Sequence, residues 1–205
     1  RFVAFEAAHA AGIEIPTLCH DPKLKPVGVC RLCAVDVGER TLTASCVREV
    51  EPDMKVITQT DEITSHRRTL VDLLMADQPE PQSDARESAL GDNQLLTLAH
   101  EFDAWGADWK GGVKERKDHS SAVISVDHEA CILCDRCIRA CDDVQGNEVI
   151  GRTGKGYEAR IAFDLNNPMG ESTCVSCGEC AAACPTGALV DKPIDAPLRP
   201  ASQLK

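Results

Sequence analysis

The chain has 205 residues, of which 33 are acidic and 22 basic, for a formal net charge of −11. That balance argues against a nucleic-acid partner, because phosphate contacts need a basic surface. Aromatic residues make up only 3%, which leaves little material for large conventional cores. Small domains with thin cores are usually stapled by disulfides or metals. Twelve cysteines are present, all in spaced clusters. No signal peptide opens the chain, and Cys-x-x-Cys runs favour metal over disulfide. No apolar stretch reaches the roughly 18 residues of a membrane span. The expected compartment is the reducing cytoplasm, unless the sequence is a fragment that has lost its targeting segment.

The first block, residues 1–60, holds Cys19, Cys30, Cys33 and Cys46. The spacing predicts a short helix over Ala4–Ala11, stopped at Gly12, and β-rich runs at Leu32–Val37 and Lys55–Thr58. The second block, residues 61–122, has no cysteine. Ser65 is a candidate cap for a helix whose apolar face is Leu70, Leu73, Leu74 and Met75. Gln78–Asp92 is polar and rich in turn formers. Leu95, Leu96, Leu98, Ala99 and Phe102 predict a second helix, and Trp105–His119 an exposed loop.

The third block, residues 123–191, holds eight cysteines in an internal repeat. Cys131, Cys134, Cys137 and Cys141 recur at one common offset as Cys174, Cys177, Cys180 and Cys184. Between the units lies an insertion, Asn147–Gly170, expected to be a hairpin plus loop. Residues 192–205 contain Pro193, Pro197 and Pro200 and read as a linker.

The run Cys174-x2-Cys177-x2-Cys180-x3-Cys184-Pro185 has the spacing of bacterial [4Fe–4S] ferredoxins, in which the fourth cysteine ligates the other cluster. Three cysteines of a tight loop reach three corners of one cubane. The fourth, on the helix that follows, points towards the second. Cys131, Cys134, Cys137 and Cys184 are therefore assigned to a first cubane, and Cys141, Cys174, Cys177 and Cys180 to a second. Asp142 follows Cys141 where Pro185 follows Cys184, so the first half is the less typical. The competing reading is a pair of zinc sites, which usually take two separated Cys-x-x-Cys pairs.

Cys19-x10-Cys30-x2-Cys33-x12-Cys46 suits a rhombic [2Fe–2S] core, although it is not the plant-type spacing. A four-cysteine zinc site is the alternative. His20 stands beside Cys19, where it could hardly bind the same iron. Gly28 either lets backbone amides approach the cluster sulfides or forms an ordinary turn after Pro26.

The order and spacing of all twelve cysteines resemble an iron–sulfur segment shared by three families. These are the large subunit of NADH–quinone oxidoreductase, the diaphorase and hydrogenase subunits of NAD-linked hydrogenases, and the alpha subunit of NAD-dependent formate dehydrogenases. The phrases that carry the resemblance are Ile15-Pro-Thr-Leu-Cys19-His20, Gly28-Val-Cys30-Arg-Leu-Cys33, Cys177-Gly-Glu-Cys180 and Pro185-Thr-Gly-Ala188. The resemblance implies an α+β architecture: a β-grasp [2Fe–2S] ferredoxin-like domain, a helical linker and a two-[4Fe–4S] ferredoxin domain. Two departures stand out. The family often has a further cluster bound by one histidine and three cysteines. Here Gln78 stands in place of the histidine and Gln82 and Ala85 at the next ligand spacings, so that cluster is expected to be absent. The N-terminal hairpin of the β-grasp domain also has no counterpart before Ala7.

Other candidates carry weaker signals. Gly151–Gly156 lacks the spacing of a phosphate loop and reads as a tight turn. His9, His66, His100, His119 and His128 have no cysteine partners at ligand spacing; His128 could donate to a cluster sulfur. Trp105 and Trp109 fit loop packing, or shielding of a cluster. Asp142 and Asp143 read as a solvated helix end.

The sequence thus predicts an electron-transfer segment with no catalytic site of its own. The resemblance implies flavin, NAD and molybdopterin only on other domains or subunits. It also implies two partners, a flavin/NAD-binding subunit and a catalytic molybdopterin or hydrogenase module. A formate dehydrogenase alpha subunit is the leading reading. A diaphorase subunit, the front of an iron-only hydrogenase and a structural zinc module are the alternatives.

Overall fold

The computed structural model describes residues 2–80, 86, 91–106 and 117–192. Helix α1 (Ala4–Ala10) opens the first unit. The Glu6 carboxylate reaches back to accept the Val3 N–H at 3.0 Å, which satisfies an amide that the first turn leaves orphaned. The helix ends before Gly12, whose φ of +76° only glycine adopts cheaply. Strands β1 (Ala34–Val35) and β2 (Thr43–Ala44) pair antiparallel, and Asp36 bridges Ile57. Both predicted β-rich runs therefore contribute, as a short ladder and a single bridge. Ala8, Ile15, Val35 and Ala44 close over Cys33 and Cys46 to form the small core of this unit.

Helix α2 spans Asp61–Met75. Its cap is Thr60, whose hydroxyl accepts the Ile63 N–H at 3.1 Å, and Asp61 and Glu62 complement the helix dipole in the first turn. The expected cap, Ser65, instead lies inside the helix, where its carbonyl accepts from the Thr69 hydroxyl at 2.9 Å. The buried face is Ile63, Arg67, Val71 and Met75, an i, i+4 row. Leu73, expected in that face, is 40% exposed, because the row set by Ile63 passes it by. Helix α3 (Gln94–Phe102) is capped by Asn93, whose Oδ1 accepts from Leu95 and Leu96. The two helices share an apolar layer with Leu18 and Leu32 of the first unit and Ile132 of the third. The middle block therefore joins the other two through a continuous core.

In the third unit β4 (Ile124–Asp127) lies between β3 (Lys117–Asp118) and β7 (Leu189–Asp191), antiparallel to both. Lys117 and Asp118 were expected in an exposed loop. They form a strand because the Asp118 carboxylate gathers the N–H groups of Ser120 (2.8 Å) and Met169 (2.6 Å). The insertion is a hairpin, β5 (Ile150–Thr153) with β6 (Arg160–Phe163). Gly151–Thr153 belongs to its first strand, and Gly154, at φ +75°, turns the chain. Helix α4 (Arg136–Arg139) widens into a π turn over Ala140–Val144, and α5 (Glu179–Ala183) packs against both. Ile124, Val126, Ile161, Phe163, Met169 and Leu189 fill the core. Gln82, Ala85, Trp109 and residues 193–205 lie outside the described residues. Among the described residues no helix is long and apolar enough to cross a membrane.

Candidate metal centres

None of the twelve cysteines is in a disulfide. The structure gathers them into three groups of four.

In the first group, Cys19 ends a loop, Cys30 and Cys33 lead into β1, and Cys46 follows β2. Cys19, Cys33 and Cys46 are fully buried. The thiol of Cys19 meets those of Cys30 and Cys46, and Cys33 meets Cys46. Backbone amides also point at sulfur: Leu18 N–H lies 3.5 Å from Cys30 Sγ and Cys30 N–H 3.5 Å from Cys19 Sγ. Hydrogen bonds from neighbouring thiols hold Cys19 and Cys33 below the usual thiol range in spite of burial. Cys30 and Cys46, on the giving side of those bonds and desolvated, are pushed up. Gly28 takes φ +65°, and a Cβ there would press on the Val47 side chain at 3.2 Å. The left-handed turn is what favours glycine there.

In the second group, Cys131, Cys134, Cys137 and Cys184 line one cavity with Leu133, Ile161 and Leu189. The third group, Cys141, Cys174, Cys177 and Cys180, lines another with Ile124, Val149 and Ile150. The membership crosses the repeat. Cys184 follows α5 and Cys141 sits in the π turn after α4, so each helix carries its last cysteine to the opposite cavity. The repeat is also conformational. Leu133 and Asp135 take φ of +54° and +62°, and their counterparts Ser176 and Gly178 take +57° and +84°. Such left-handed residues curl a loop so that successive amides face inward, a concavity suited to anionic sulfur; Ser176 N–H reaches Cys174 Sγ at 3.4 Å.

Burial, reinforced by the Cys184 thiolate, pushes Cys134 up to about 12. Burial, and then Cys174, does the same for Cys180, to about 12. Cys137 is raised well above the ordinary value by burial and by Cys131. Thiols so placed ionise only when a cation compensates them. Among the described residues no group of three or more His, Cys, Asp or Glu side chains is disposed to hold a metal ion. The thiols of the second and third groups stand around the walls of apolar cavities instead. Soft donors, four to a site, with amides aimed at sulfur, fit polynuclear iron–sulfur cores.

The histidines stay out of these groups. His9 pairs with Glu14 at 3.1 Å, His66 Nε2 is 3.3 Å from the Arg31 carbonyl, and the His100 ring meets the edge of Trp105. His20 packs on Phe5, and burial lowers its pKa. His128 meets Cys131 through its backbone carbonyl, which accepts the Cys131 N–H. The carbonyl of His119 accepts from Lys192. Asp143 pairs with Lys25. Asp142 is less solvated than expected: one carboxylate oxygen is buried without a hydrogen-bond partner, and burial, then Glu148 and Asp143, push its pKa up.

Sequence reasoning missed four buried arginines. Arg67 donates to the carbonyls of Leu32 and Ala34, on either side of Cys33, each at 3.1 Å. Arg86 is held by Asp92 and donates to Ala181 O at 3.1 Å. Arg136 joins Asp21 and Gln94, both at 2.8 Å. Arg139 donates to the carbonyls of Cys19 and Lys25 in the first unit and of Cys134 and Asp135 in the third. The available signal was the placement of Arg136 and Arg139 on the short helix between Cys134 and Cys141, where little surface is free.

With this geometry in place, comparison with known proteins is specific. Residues 4–61 match the family of the 2Fe-2S iron-sulfur cluster binding domain. Residues 121–190 match the ferredoxin-like domain of NADH-quinone oxidoreductase subunit 3. The NADP-reducing hydrogenase subunit HndD of Solidesulfovibrio fructosivorans is 36% identical over 197 residues, covering 91% of this chain and 33% of that protein. A protein of Staphylococcus haemolyticus that bears a formate dehydrogenase name is 27% identical over 180 residues, covering 86% of this chain and 18% of that one. The chain thus spans a third or less of these curated relatives. A chain of the crystal structure of an NAD+-reducing [NiFe]-hydrogenase in the H2-reduced state superposes with a TM-score of 0.84 at 31% identity, covering 95% of this chain and 83% of that one.

Proposed function

Because this chain belongs to the iron–sulfur segment family of NAD-linked hydrogenases, NADH–quinone oxidoreductases and formate dehydrogenases, we propose that it relays single electrons between a flavin/NAD module and a catalytic metal site. That it is an iron–sulfur electron-transfer segment with [2Fe–2S] and [4Fe–4S] domains follows from the family. The finer reading assigns Cys19, Cys30, Cys33 and Cys46 to the [2Fe–2S] core within a β-grasp domain. It assigns Cys131, Cys134, Cys137 and Cys184 to one cubane, and Cys141, Cys174, Cys177 and Cys180 to the other. The observation that carries it is the crossed membership of the two cavities.

Bound clusters would supply one-electron acceptors and donors. The protein's own part is to hold the thiolates, aim amides at sulfur and exclude water, which together set the reduction potentials. Cys177, exposed where the other members of its group are buried or half-buried, leaves one wall of its site open to a partner. The leading assembly is a cytoplasmic NAD-dependent formate dehydrogenase, in keeping with the relative that bears a formate dehydrogenase name. A hydrogenase assembly is the second reading, favoured by how fully the chain covers the hydrogenase chain.

The test is anaerobic purification with iron, sulfide and zinc analysis and electron paramagnetic resonance on reduction. About ten irons and three reducible signals are expected, from one [2Fe–2S] and two [4Fe–4S] cores. A colourless protein holding zinc would overturn the reading. The residues that follow Lys205 in the gene separate the assemblies: a further Cys-x2-Cys-x3-Cys run goes with formate dehydrogenase.

A further inference from the structure

Arg139 is buried, at 7% exposure, and every hydrogen-bond partner it has among the described residues is a carbonyl oxygen. Nη2 donates to Cys19 O at 2.6 Å and more weakly to Cys134 O at 3.4 Å. Nη1 donates to Lys25 O at 2.6 Å and Nε to Asp135 O at 3.1 Å. Arg86, Arg136 and Arg152 differ, since each is matched by an aspartate. A guanidinium cannot lose its proton, and a buried charge without a counter-charge is costly. Cys19 and Cys134 belong to two different four-thiol groups, and both are buried. Arg139 is thus held by the backbone of one cysteine from each, 120 residues apart for the Cys19 contact. Thiolates bound to iron would leave net negative charge at both sites, and that charge is the counter-ion Arg139 otherwise lacks.

We infer that Arg139 is a positioning residue and shared counter-cation for the [2Fe–2S] site and the first cubane site, raising the reduction potential of both and pinning their loops together. The inference rests on the cluster assignment above and goes beyond it. Reduction adds negative charge, so a fixed cation beside both sites favours the reduced form at both. Arg67 provides the contrast. Its hydrogen bonds flank Cys33 alone, so its influence is confined to the [2Fe–2S] site.

The test is a potentiometric titration of the cluster-loaded chain, followed by electron paramagnetic resonance, with the Cys141→Ala chain used to identify the signal of the second cubane. In Arg139→Gln the reduced-to-oxidised ratio at fixed potential should fall about tenfold at the [2Fe–2S] site and the first cubane. For one electron that is about 59 mV. The second cubane should move much less, and Arg67→Gln should shift the [2Fe–2S] signal alone. Arg139→Lys should restore both potentials while melting at lower temperature, because the charge returns without the fork. Unchanged potentials in an iron-replete Arg139→Gln chain, or an equal shift at all three centres, would overturn the inference. If Arg139→Gln loses iron, Arg139→Lys decides: a tenfold fall despite the retained charge overturns it. A wild-type chain without the three signals would instead refute the cluster assignment.

Discussion

Replacing Cys141 by alanine separates two ways of dividing eight cysteines. Taken run by run along the chain, Cys141 would complete the site of Cys131, Cys134 and Cys137. In the structure it shares a cavity with Cys174, Cys177 and Cys180. The crossed arrangement predicts that about four of about ten irons are lost, all from the second cavity. The assay is iron analysis followed by alkylation of the native protein and peptide mass spectrometry. Cys174, Cys177 and Cys180 should become reactive. Cys131, Cys134, Cys137 and Cys184 should stay protected, with Cys184 the most telling, since it lies in the second repeat yet belongs to the first cavity. Alkylation of Cys131, Cys134 and Cys137 with Cys174 still protected would refute the crossed reading.

Three further substitutions follow from the packing. Arg67→Ala removes two charge-assisted hydrogen bonds and strands the Leu32 and Ala34 carbonyls, so thermal unfolding should show a loss of about 3 kcal/mol. Two glycines should behave differently under calorimetry. Gly178→Ala meets nothing nearer than Asp191 Oδ1 at 3.8 Å, so it costs only the left-handed backbone, roughly 1–2 kcal/mol. Gly170→Ala would drive its Cβ into the Ser120 backbone and should cost more, about 3 kcal/mol. For Asp118, burial raises the pKa, but hydrogen bonds from Met169 and Ser120 outweigh it and the net shift is downward. The stability it contributes is therefore complete above the ordinary aspartate range and is lost as pH falls through the depressed folded value. Hydrogen exchange at the Met169 amide should report that loss in wild type and show no such pH dependence in Asp118→Asn.

How the cysteines group was legible because ligand spacing is a local, chain-level constraint. A loop of Cys-x2-Cys-x2-Cys can present three thiols to one cavity only by curling, and the left-handed pairs Leu133–Asp135 and Ser176–Gly178 are that curl. Of the described helices of the middle block, α2 was legible in place but not in phase, whereas α3 buries the Leu95, Leu96, Leu98 and Ala99 expected of it. Thr60 and Ser65 both cap well in isolation, and the choice fell to tertiary burial of Ile63 and Val71, which a run of leucines obscured. The contacts of the arginines were not legible. A buried arginine is identified by the carbonyls that receive it, and those of Arg139 lie at Cys19, Lys25, Cys134 and Asp135. Sequence spacing holds no record of that convergence.

The crossed helices also bear on how the protein is made. Cys131, Cys134 and Cys137 leave the ribosome early, yet the cavity they line stays open until Cys184 has emerged. The second cavity has the opposite history, since Cys141 waits for the three thiols that finish it. In the proposed arrangement neither cubane can be closed on a nascent chain that stops short of α5, and once that helix docks both can close together. Cluster insertion into this unit is thereby timed by the completion of its second half, and a truncated chain would offer three-thiol sites to whatever metal is at hand.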